Sequence, residues 1–457
     1  MNALYLICGL GFVSLIAEIL NLKKGLAPIV MLGLMGAEVL VVLDWNSSLY
    51  YYNDMAVFDN FAIAFTALII VISVLWFWMA SDYFRGQSHQ TDRTALILFA
   101  MVGAVIMVSF NNMAMLFLGI EILSISLYVL AGSKKDSLFS NEAAFKYFLM
   151  GSFATGFLLM GMALIYGATG SFHINVIADF LASNTNELPT FFYAGVLLIL
   201  VGMAFKVSAV PFHFWAPDVY EGSPVAITAF MSTVVKIAAF GAFYRMFSIC
   251  FDSVQSTWII ILQIMTVLTL VIPNVTAVYQ INVKRILAYS SVGHVGYMLL
   301  AFVADSTGSA GTIFYYLAAY SFTTIAAFTV LHEVENAKGN SVFDGLYKRN
   351  PLLAVVMTIA LLSLAGIPPL AGFFGKYLVF AQALANGYPG LVIIAVGTSL
   401  VGVFYYFRVI ISMFLTNTDD PAFTLSVSRR VLLTLLLLLI VIMGIFPDWM
   451  ISRLATS

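Results

Sequence analysis

The chain has 457 residues, of which 62% are hydrophobic and only 9% are charged. A soluble domain carries about 25% charged residues, so this composition excludes a water-soluble protein and indicates one that is embedded in a lipid bilayer. The net charge of −2 argues against a nucleic-acid partner.

The apolar segments predict an all-α polytopic membrane protein, because crossing ~30 Å of hydrocarbon takes roughly 20 apolar residues per helix. About fourteen helices are expected, of which the seventh and twelfth are interrupted. A short amphipathic surface helix is expected at 172–183. The fourteen predicted helices cover residues 2–20, 26–43, 58–80, 94–110, 112–131, 141–167, 190–217, 224–249, 256–279, 283–303, 309–334, 351–386, 390–415 and 430–449.

Basic residues are concentrated in alternate loops, which supports this count. Thirteen of the 20 lysines and arginines lie in loops after odd-numbered helices. The positive-inside rule therefore predicts that these loops are cytoplasmic and that both termini lie outside. The thirteen are Lys23, Lys24, Arg85, Arg93, Lys134, Lys135, Lys284, Arg285, Lys338, Lys348, Arg349, Arg429 and Arg430.

Proline-containing breaks interrupt predicted helices 7 and 12. In "VGMAFKVSAVPFHFWAPD" (201–218), Pro211 lacks an N–H group and its ring clashes with a carbonyl one turn back. The second break is "LAGIPPLAGFFGKYLV" (364–379). A lysine accompanies each break, Lys206 in the first and Lys376 in the second. Broken helices at membrane depth are tolerated where they line a cavity, so both segments are candidates for a functional site.

The two breaks are five helices apart, which is typical of an inverted repeat. Helices 4–8 (94–250) and helices 9–13 (251–415) are the two predicted units. A five-helix unit crosses the membrane an odd number of times, so its copy must be upside down. Peripheral helices 1–3 (1–93) precede the repeats, and helix 14 with the C-terminus (416–457) follows them. The sequence has no linker, so one membrane domain over 1–457 is predicted.

Ionisable residues at the centre of predicted helices indicate proton transfer. Lys236 has about 15 Å of helix on either side, which a lysine stem cannot cover. Glu121 is equally central in helix 5, and Lys206 and Lys376 lie beside the breaks. Each central charge costs at least ~2.5–3.5 kcal/mol on insertion scales. A static buried pair is the alternative, but one glutamate cannot pair with three lysines at once.

Further candidates are His213, after the first break, and His294, inside helix 10. A secondary relay role, a hydrogen-bonded core histidine and haem ligation remain open for both. Lys146, six residues into helix 6, can belong to the relay or extend to the interface. Three other cationic side chains lie near helix ends or the C-terminus and are expected to extend to the membrane surface. They are Arg245, Arg408 and Arg453.

Cys8 and Cys250 match no zinc, iron–sulfur or disulfide spacing. The sequence has no nucleotide-binding glycine motif and no cluster of metal ligands. Any redox chemistry coupled to this chain is therefore expected in partner chains.

Four segments resemble the antiporter-like membrane subunits of respiratory complex I, the proton-pumping NADH:quinone oxidoreductase, and most closely those of the N type. They are "FKVSAVPFHFWAPDVYEGSP" (205–224), "SLAGIPPLAGFFGKY" (363–377), "AAFKYFLMGSFATGFLLMG" (143–161) and "RILAYSSVGHVGYM" (285–298). The related M type resembles this chain but carries glutamate where helix 12 has a lysine here. Unlike the L type, this sequence shows no long lateral helix after predicted helix 14.

The resemblance implies a role for each candidate. Glu121 and Lys206 would form a coupling pair, Lys236 would be the central lysine, and Lys376 would serve an exit half-channel. The secondary relay members would be Lys146, His213 and His294. The chain itself would hold no cofactor or metal, since NADH, FMN, iron–sulfur clusters and quinone would bind partner subunits.

The implied partners are other complex I membrane subunits, namely an antiporter-like neighbour and small helical subunits, in a bacterial inner membrane with both termini periplasmic. Two alternatives remain: a subunit of a multi-subunit cation/proton antiporter without a redox partner, and a scaffold that does not pump. The buried lysines argue against the scaffold.

Overall fold

A computed structural model describes residues 1–19, 25–84, 89–184, 188–304, 309–338, 342–416 and 420–447. Some of the predicted loop charges (Lys23, Lys24 and Arg85) lie outside these residues, as do Arg453 and the predicted periplasmic C-terminus. Within the described ranges the chain is almost entirely helical. Its one small sheet is an antiparallel hairpin of β1 (Leu49–Tyr51) and β2 (Ala56–Phe58), with Leu49 opposite Phe58.

The helices are labelled in chain order. They are α1 (Asn2–Ile16), α2 (Leu26–Leu43), α3 (Asn60–Phe84), α4 (Gln90–Ser109), α5 (Met113–Ala131), α6 (Leu138–Thr169), α7 (Ile174–Ser183), α8 (Thr190–Val207), α9 (Trp215–Gly222), α10 (Val225–Ser232), α11 (Val234–Tyr244), α12 (Gln255–Val278), α13 (Val283–Val303), α14 (Ser309–Lys338), α15 (Leu346–Arg349), α16 (Pro351–Ala365), α17 (Ala371–Ala385), α18 (Pro389–Leu415) and α19 (Val427–Ile445).

Twelve helical segments within the described residues are long and apolar enough to cross a membrane. This finding confirms the predicted all-α membrane fold. Predicted helices 1 and 12 are not among the twelve, because α1 has 15 residues and the break divides helix 12 into α16 and α17. Fourteen spans and the inverted repeat therefore stay predictions.

The chain forms two compact units. Unit 1 contains Met1–Ser208 and Val234–Leu262, and unit 2 contains Ala209–Thr233 and Gln263–Thr456. In unit 1, α4 packs against α1, α3, α5 and α11, and α6 packs along α8. In unit 2, α14 packs against α13, α16, α17 and α19, and every residue in its most apolar window is buried. The described side chains of α14 therefore form the centre of their unit's core.

Both predicted helix breaks are confirmed. The first begins where α8 ends at Val207, because Ser208 adopts a left-handed backbone conformation with φ 64°. The chain resumes a helix at Trp215, after a cis peptide bond before Pro211. The second begins after Ala365 and includes a cis Pro368–Pro369 bond before α17 starts.

A third break was not predicted from the sequence. Predicted helix 8 is divided at Thr233 into α10 and α11, and its last turn, Arg245–Cys250, is a π-helix. The hydroxyl groups of Ser232 and Thr233 both donate to the Ala229 carbonyl, at 3.1 and 2.7 Å. Serine and threonine hydroxyls that bond to a preceding carbonyl compete with the helical ladder and bend it. The predicted helix at 224–249 is therefore present as one candidate span, Val225–Cys250, but Thr233 interrupts it.

The predicted surface helix is confirmed as α7. Its apolar side chains Ile174, Ile177 and Leu181 are buried on one face, at the spacing that an amphipathic helix requires. The adjacent α6 and α8 make the most extensive helix contact in unit 1. They approach at two glycines: a Cβ atom on Gly161 would lie 2.8 Å from the Gly195 carbonyl oxygen.

We expect Gly161→Ala to lower stability by about 1–3 kcal/mol, because the added methyl group has no space between the two backbones. The matched control is Gly156→Ala on the same helix, where an added Cβ atom meets nothing within 4 Å. Thermal unfolding of the purified protein in detergent measures the difference. Equal melting temperatures for the two variants would contradict the close packing of α6 on α8.

Candidate functional site

Lys206 lies at the buried end of a broken helix. It occupies the last turn of α8, and only 7% of the residue is exposed. The carbonyl end of a helix carries a partial negative charge, which stabilises an ammonium group nearby. The Lys206 Nζ also donates a hydrogen bond of 2.6 Å to the Ser124 hydroxyl on α5. The first break therefore creates a polar site for this amine in an otherwise apolar interior.

Glu121 lies one helical turn before Ser124 on α5. Its Oε1 atom is buried and has no hydrogen-bond partner among the residues that the structure describes. The Lys206 amine contacts Ser124, one turn from Glu121, but Glu121 and Lys206 form no ion pair within 4.0 Å in the described part of unit 1. The predicted coupling pair therefore makes no direct contact.

A small cavity lies beside the Lys206 amine, between α5, α6 and α8. Its polar lining comes from Ser124, Tyr128, Thr155 and Lys206 itself. It has room for about one water molecule, and a buried water needs two to four polar partners of this kind. The cavity therefore offers a place for a water molecule next to a residue that can carry a proton.

Lys236 is the most deeply buried of the predicted relay lysines, with 2% of its surface exposed. It lies in the first turn of α11, three residues after Thr233. The first turn of a helix is the positive end of its dipole. Lys236 therefore lies near the amide end of a helix, whereas Lys206 lies near the carbonyl end of one. This difference arises from the interruption at Thr233, which was not predicted from the sequence.

Lys376 caps the carbonyl end of the second broken helix. Its Nζ atom donates hydrogen bonds of 2.9 Å to the Ala365 carbonyl, the last of α16, and 2.8 Å to the Ser399 hydroxyl on α18. The ring of Tyr297 lies 4.8 Å from the amine. Gly366 has φ 87°, and a Cβ atom there would lie 3.0 Å from the Lys376 side chain. The left-handed conformation favours glycine here, and an added Cβ atom would also crowd the lysine stem.

His294 is held between two tyrosines in unit 2. Its Nδ1 atom shares a hydrogen bond of 2.8 Å with the Tyr316 hydroxyl, and Nε2 lies 3.4 Å from the Tyr406 hydroxyl. The Tyr406 hydroxyl also bonds to Ser290, one turn earlier on α13. Each partner can donate or accept a proton, so His294 belongs to a continuous chain of exchangeable hydrogens.

His213 lies within the first break, in unit 2. It is buried, with its ring packed against Phe214, and its Nδ1 atom has no hydrogen-bond partner among the described residues. The break itself is fixed by the Val210 amide, which donates 2.9 Å to the Thr269 hydroxyl on α12.

The predicted site residues divide between the two units. Glu121, Lys206 and Lys236 lie in unit 1, whereas His213, His294 and Lys376 lie in unit 2. Within unit 1, Lys206 contacts Ser124, which lies one helical turn after Glu121 on α5.

Lys146, also in unit 1, lies on a different kind of surface. Its side chain is 39% exposed on α6 and pairs with Glu142 at 2.7 Å, one turn earlier.

Arg245, which was predicted to extend to the membrane surface, is buried against protein, with 3% of the residue exposed. Its guanidinium group pairs with Asp59 and donates 2.7 Å to the Val108 carbonyl, all within unit 1. Arg408 donates to the Val278 carbonyl at the end of α12.

The sequence analysis missed the hydroxyl groups that contact the lysines and His294 or line the Lys206 cavity. Ser124 and Tyr128 follow Glu121 by three and seven residues, so helical spacing alone places all three on one face of α5. Ser399 and Tyr316 come from helices distant in sequence, and no local pattern marks them. Among the described residues, no group of three or more His, Cys, Asp or Glu side chains is arranged to hold a metal ion.

The sequence matches, over residues 110–402, the family described as "NADH:quinone oxidoreductase/Mrp antiporter, TM". The chain belongs to this family. The matched range includes both predicted breaks and all seven predicted site residues. The resemblance seen in the sequence is thereby confirmed.

Three similar proteins support the assignment. A relative from Cytophaga hutchinsonii named NADH-quinone oxidoreductase subunit N is 46% identical, and the alignment covers 98% of each chain. A chain of respiratory complex I from Thermus thermophilus with bound aureothin has a TM-score of 0.82 and 30% identity, covering 98% of both chains. A chain of the Mrp complex from Dietzia sp. has a TM-score of 0.87 but only 20% identity, covering 100% of this chain and 97% of that one, so it shows the fold alone.

Removing the hydroxyl partner of Lys206 tests the site in unit 1. Ser124→Ala deletes a hydrogen bond to a charged group, worth about 1.5–3 kcal/mol, and we expect a several-fold slower proton uptake in membrane vesicles. The control is Ser126→Ala on the same helix, whose hydroxyl bonds only to the Ile122 carbonyl. If both variants retained the wild-type rate, the Lys206–Ser124 contact would have no part in proton movement.

Proposed function

We propose that this chain is the N-type, antiporter-like membrane subunit of an NADH:quinone oxidoreductase, and that it moves protons through buried Glu, Lys and His side chains. Family membership, the curated relative of full length and the likeness to complex I support the subunit assignment. The identity of the relay residues is the further step of the proposal, and it rests on their geometry.

One observation carries the relay. Each of two helices ends inside the apolar interior, and each end has a buried lysine amine that also contacts a hydroxyl group. These lysines are Lys206, with Ser124, and Lys376, with Ser399. A lysine amine gains or loses a proton readily when its surroundings change. The water-sized cavity lined by Lys206 gives such an amine a place to deliver or collect a proton.

In unit 1 the proposed sequence of events begins at Lys206. Protonated, the amine is stabilised by the carbonyl end of α8, the Ser124 oxygen and the nearby Glu121 carboxylate. Movement of Glu121 away from Lys206 would remove the attraction and release the proton to the adjacent cavity. Lys236, at the positive end of α11, would be the second carrier of this unit.

In unit 2 the proposed carriers are Lys376 and His294, with His213 as a secondary member. Lys376 contacts the ring of Tyr297, and that ring lies 5.8 Å from the His294 ring. The exposed Lys146 would serve as a secondary member at the surface of unit 1.

The proposed partners follow from the family. NADH, FMN, iron–sulfur clusters and quinone would bind other subunits of the complex, and quinone reduction there would drive proton movement here. An antiporter-like subunit and small helical subunits would contact this chain in a bacterial inner membrane, with both termini on the periplasmic side.

We expect Lys206→Met and Lys376→Met each to abolish most NADH-driven proton uptake in vesicles, because a thioether carries no proton at either helix end. Lys134→Met, at an exposed loop position, is the matched control and should pump normally. Assembly of the complex is measured first, by native gel electrophoresis of the membranes.

The outcomes distinguish the alternatives. Normal pumping by both site variants would eliminate the relay. Loss of assembly alone would support a scaffold. Sodium-dependent proton exchange without NADH would support a cation/proton antiporter.

A further inference from the structure

Two small cavities lie in unit 2 among α13, α14 and α16. The first, named the His294 cavity, is lined by His294, Tyr316, Thr323 and Ser363, together with small residues of α17. The second, named the Ser290 cavity, is lined by Ser290, Thr324 and apolar side chains. Each has room for about one water molecule, and each offers the several polar partners that a buried water needs.

The two cavities follow one another along the helices. On α14 the His294 cavity contacts residues 316–323, and the Ser290 cavity contacts residues 320–328. On α13, which runs in from Lys284, Ser290 comes one turn before His294. The Ser290 cavity therefore lies nearer the basic end of α13, and the His294 cavity lies deeper.

Two side chains line both cavities, namely Tyr320 and Leu364. Leu364 has no exchangeable hydrogen. Tyr320 is 4% exposed, and its hydroxyl donates a hydrogen bond of 2.9 Å to Ser291. Its ring lies 5.1 Å from the His294 ring. Of the two shared side chains, only Tyr320 can therefore donate and accept a proton.

We infer that the Tyr320 hydroxyl is the link that passes protons between water molecules in these two cavities. A phenol is both donor and acceptor, so it can accept the excess proton of a protonated water on one side as it releases its own proton to the neutral water on the other. The phenol is unchanged after each transfer, and one proton leaves the first water for the second. Rotation of the hydroxyl then restores its starting orientation.

The small volume of the cavities favours such a link. A continuous column of water would carry protons without a side chain, but each cavity has room for about one water molecule. The route through Ser290, Tyr406 and His294 is the competing connection. Tyr320 is favoured because it lines both cavities, whereas Tyr406 lines neither.

The test uses the assembled complex in membrane vesicles and compares Tyr320→Phe with Tyr315→Phe. Tyr315 is a buried tyrosine on the same helix, and its hydroxyl bonds to the Met443 carbonyl away from both cavities. We expect proton uptake per assembled complex to fall about ten-fold or more in Tyr320→Phe, in the range of lost proton-transfer catalysis. Tyr315→Phe should pump normally. Replacing H₂O with D₂O should slow proton uptake by a larger factor in Tyr320→Phe than in the wild type or in Tyr315→Phe.

A second variant separates proton transfer from structural support. Ser291→Ala removes the hydrogen bond made by Tyr320 but leaves the phenol in place, and we expect it to retain most of the activity. Equal losses in Ser291→Ala and Tyr320→Phe would overturn the inference, as would a wild-type rate in Tyr320→Phe, which would leave the Ser290–Tyr406 connection as the carrier.

The inference rests on the proposed function, and the lysine variants keep the two distinguishable. If Lys206→Met and Lys376→Met pump normally, the relay itself fails. If they do not pump but Tyr320→Phe does, only the role of Tyr320 fails.

Discussion

The carbonyl ends of helices that stop inside the apolar interior are the constraint on which this structure depends. Unpaired carbonyl groups in a medium without water cost several kcal/mol each, and so does an isolated ammonium group. Here each kind of group offsets the cost of the other. Lys376 donates to the last carbonyl of α16, and Lys206 lies in the last turn of α8. At the second break the lysine satisfies a carbonyl directly, and at the first the lysine occupies the carbonyl end of the helix and bonds to Ser124.

Hydroxyl groups, rather than counter-ions, complete both sites. Serines contact the two amines, and tyrosines surround His294. A carboxylate in direct contact would hold an ammonium group in one charge state. A hydroxyl is neutral and can reorient, so it stabilises the amine whether or not a proton is present. Glu121, which does not contact Lys206 directly, is then free to influence the amine through its distance alone.

Hydropathy alone predicted the positions of many of the helices. The predicted helices at 26–43 and 283–303 coincide with α2 and α13, and proline marked both confirmed breaks. No proline or glycine marks the break at Thr233. It lies where the Ser232 and Thr233 hydroxyls both donate to the Ala229 carbonyl. The burial of Arg245 could not be predicted, because its partner, Asp59, is 186 residues away in the sequence.

The candidate site, like the fold, could be predicted only in part from the sequence. Charged residues inside apolar segments stand out, so all the predicted lysines could be named from the sequence. Tyr320 does not stand out, because a tyrosine in an apolar helix resembles any other aromatic core residue. Its position between two cavities depends on how α13, α14 and α16 pack, and no local pattern encodes that arrangement.

The exposed pair on α6 has a consequence for biogenesis. Glu142 and Lys146 are one turn apart, with the acidic residue nearer the N-terminus, which is the more favourable order. Large apolar side chains such as Phe145, Phe148 and Phe153 are exposed on the same helix. Because the two charges neutralise each other within a single helix, α6 can leave the translocon for lipid as an independent element, before any other helix is available to solvate its lysine.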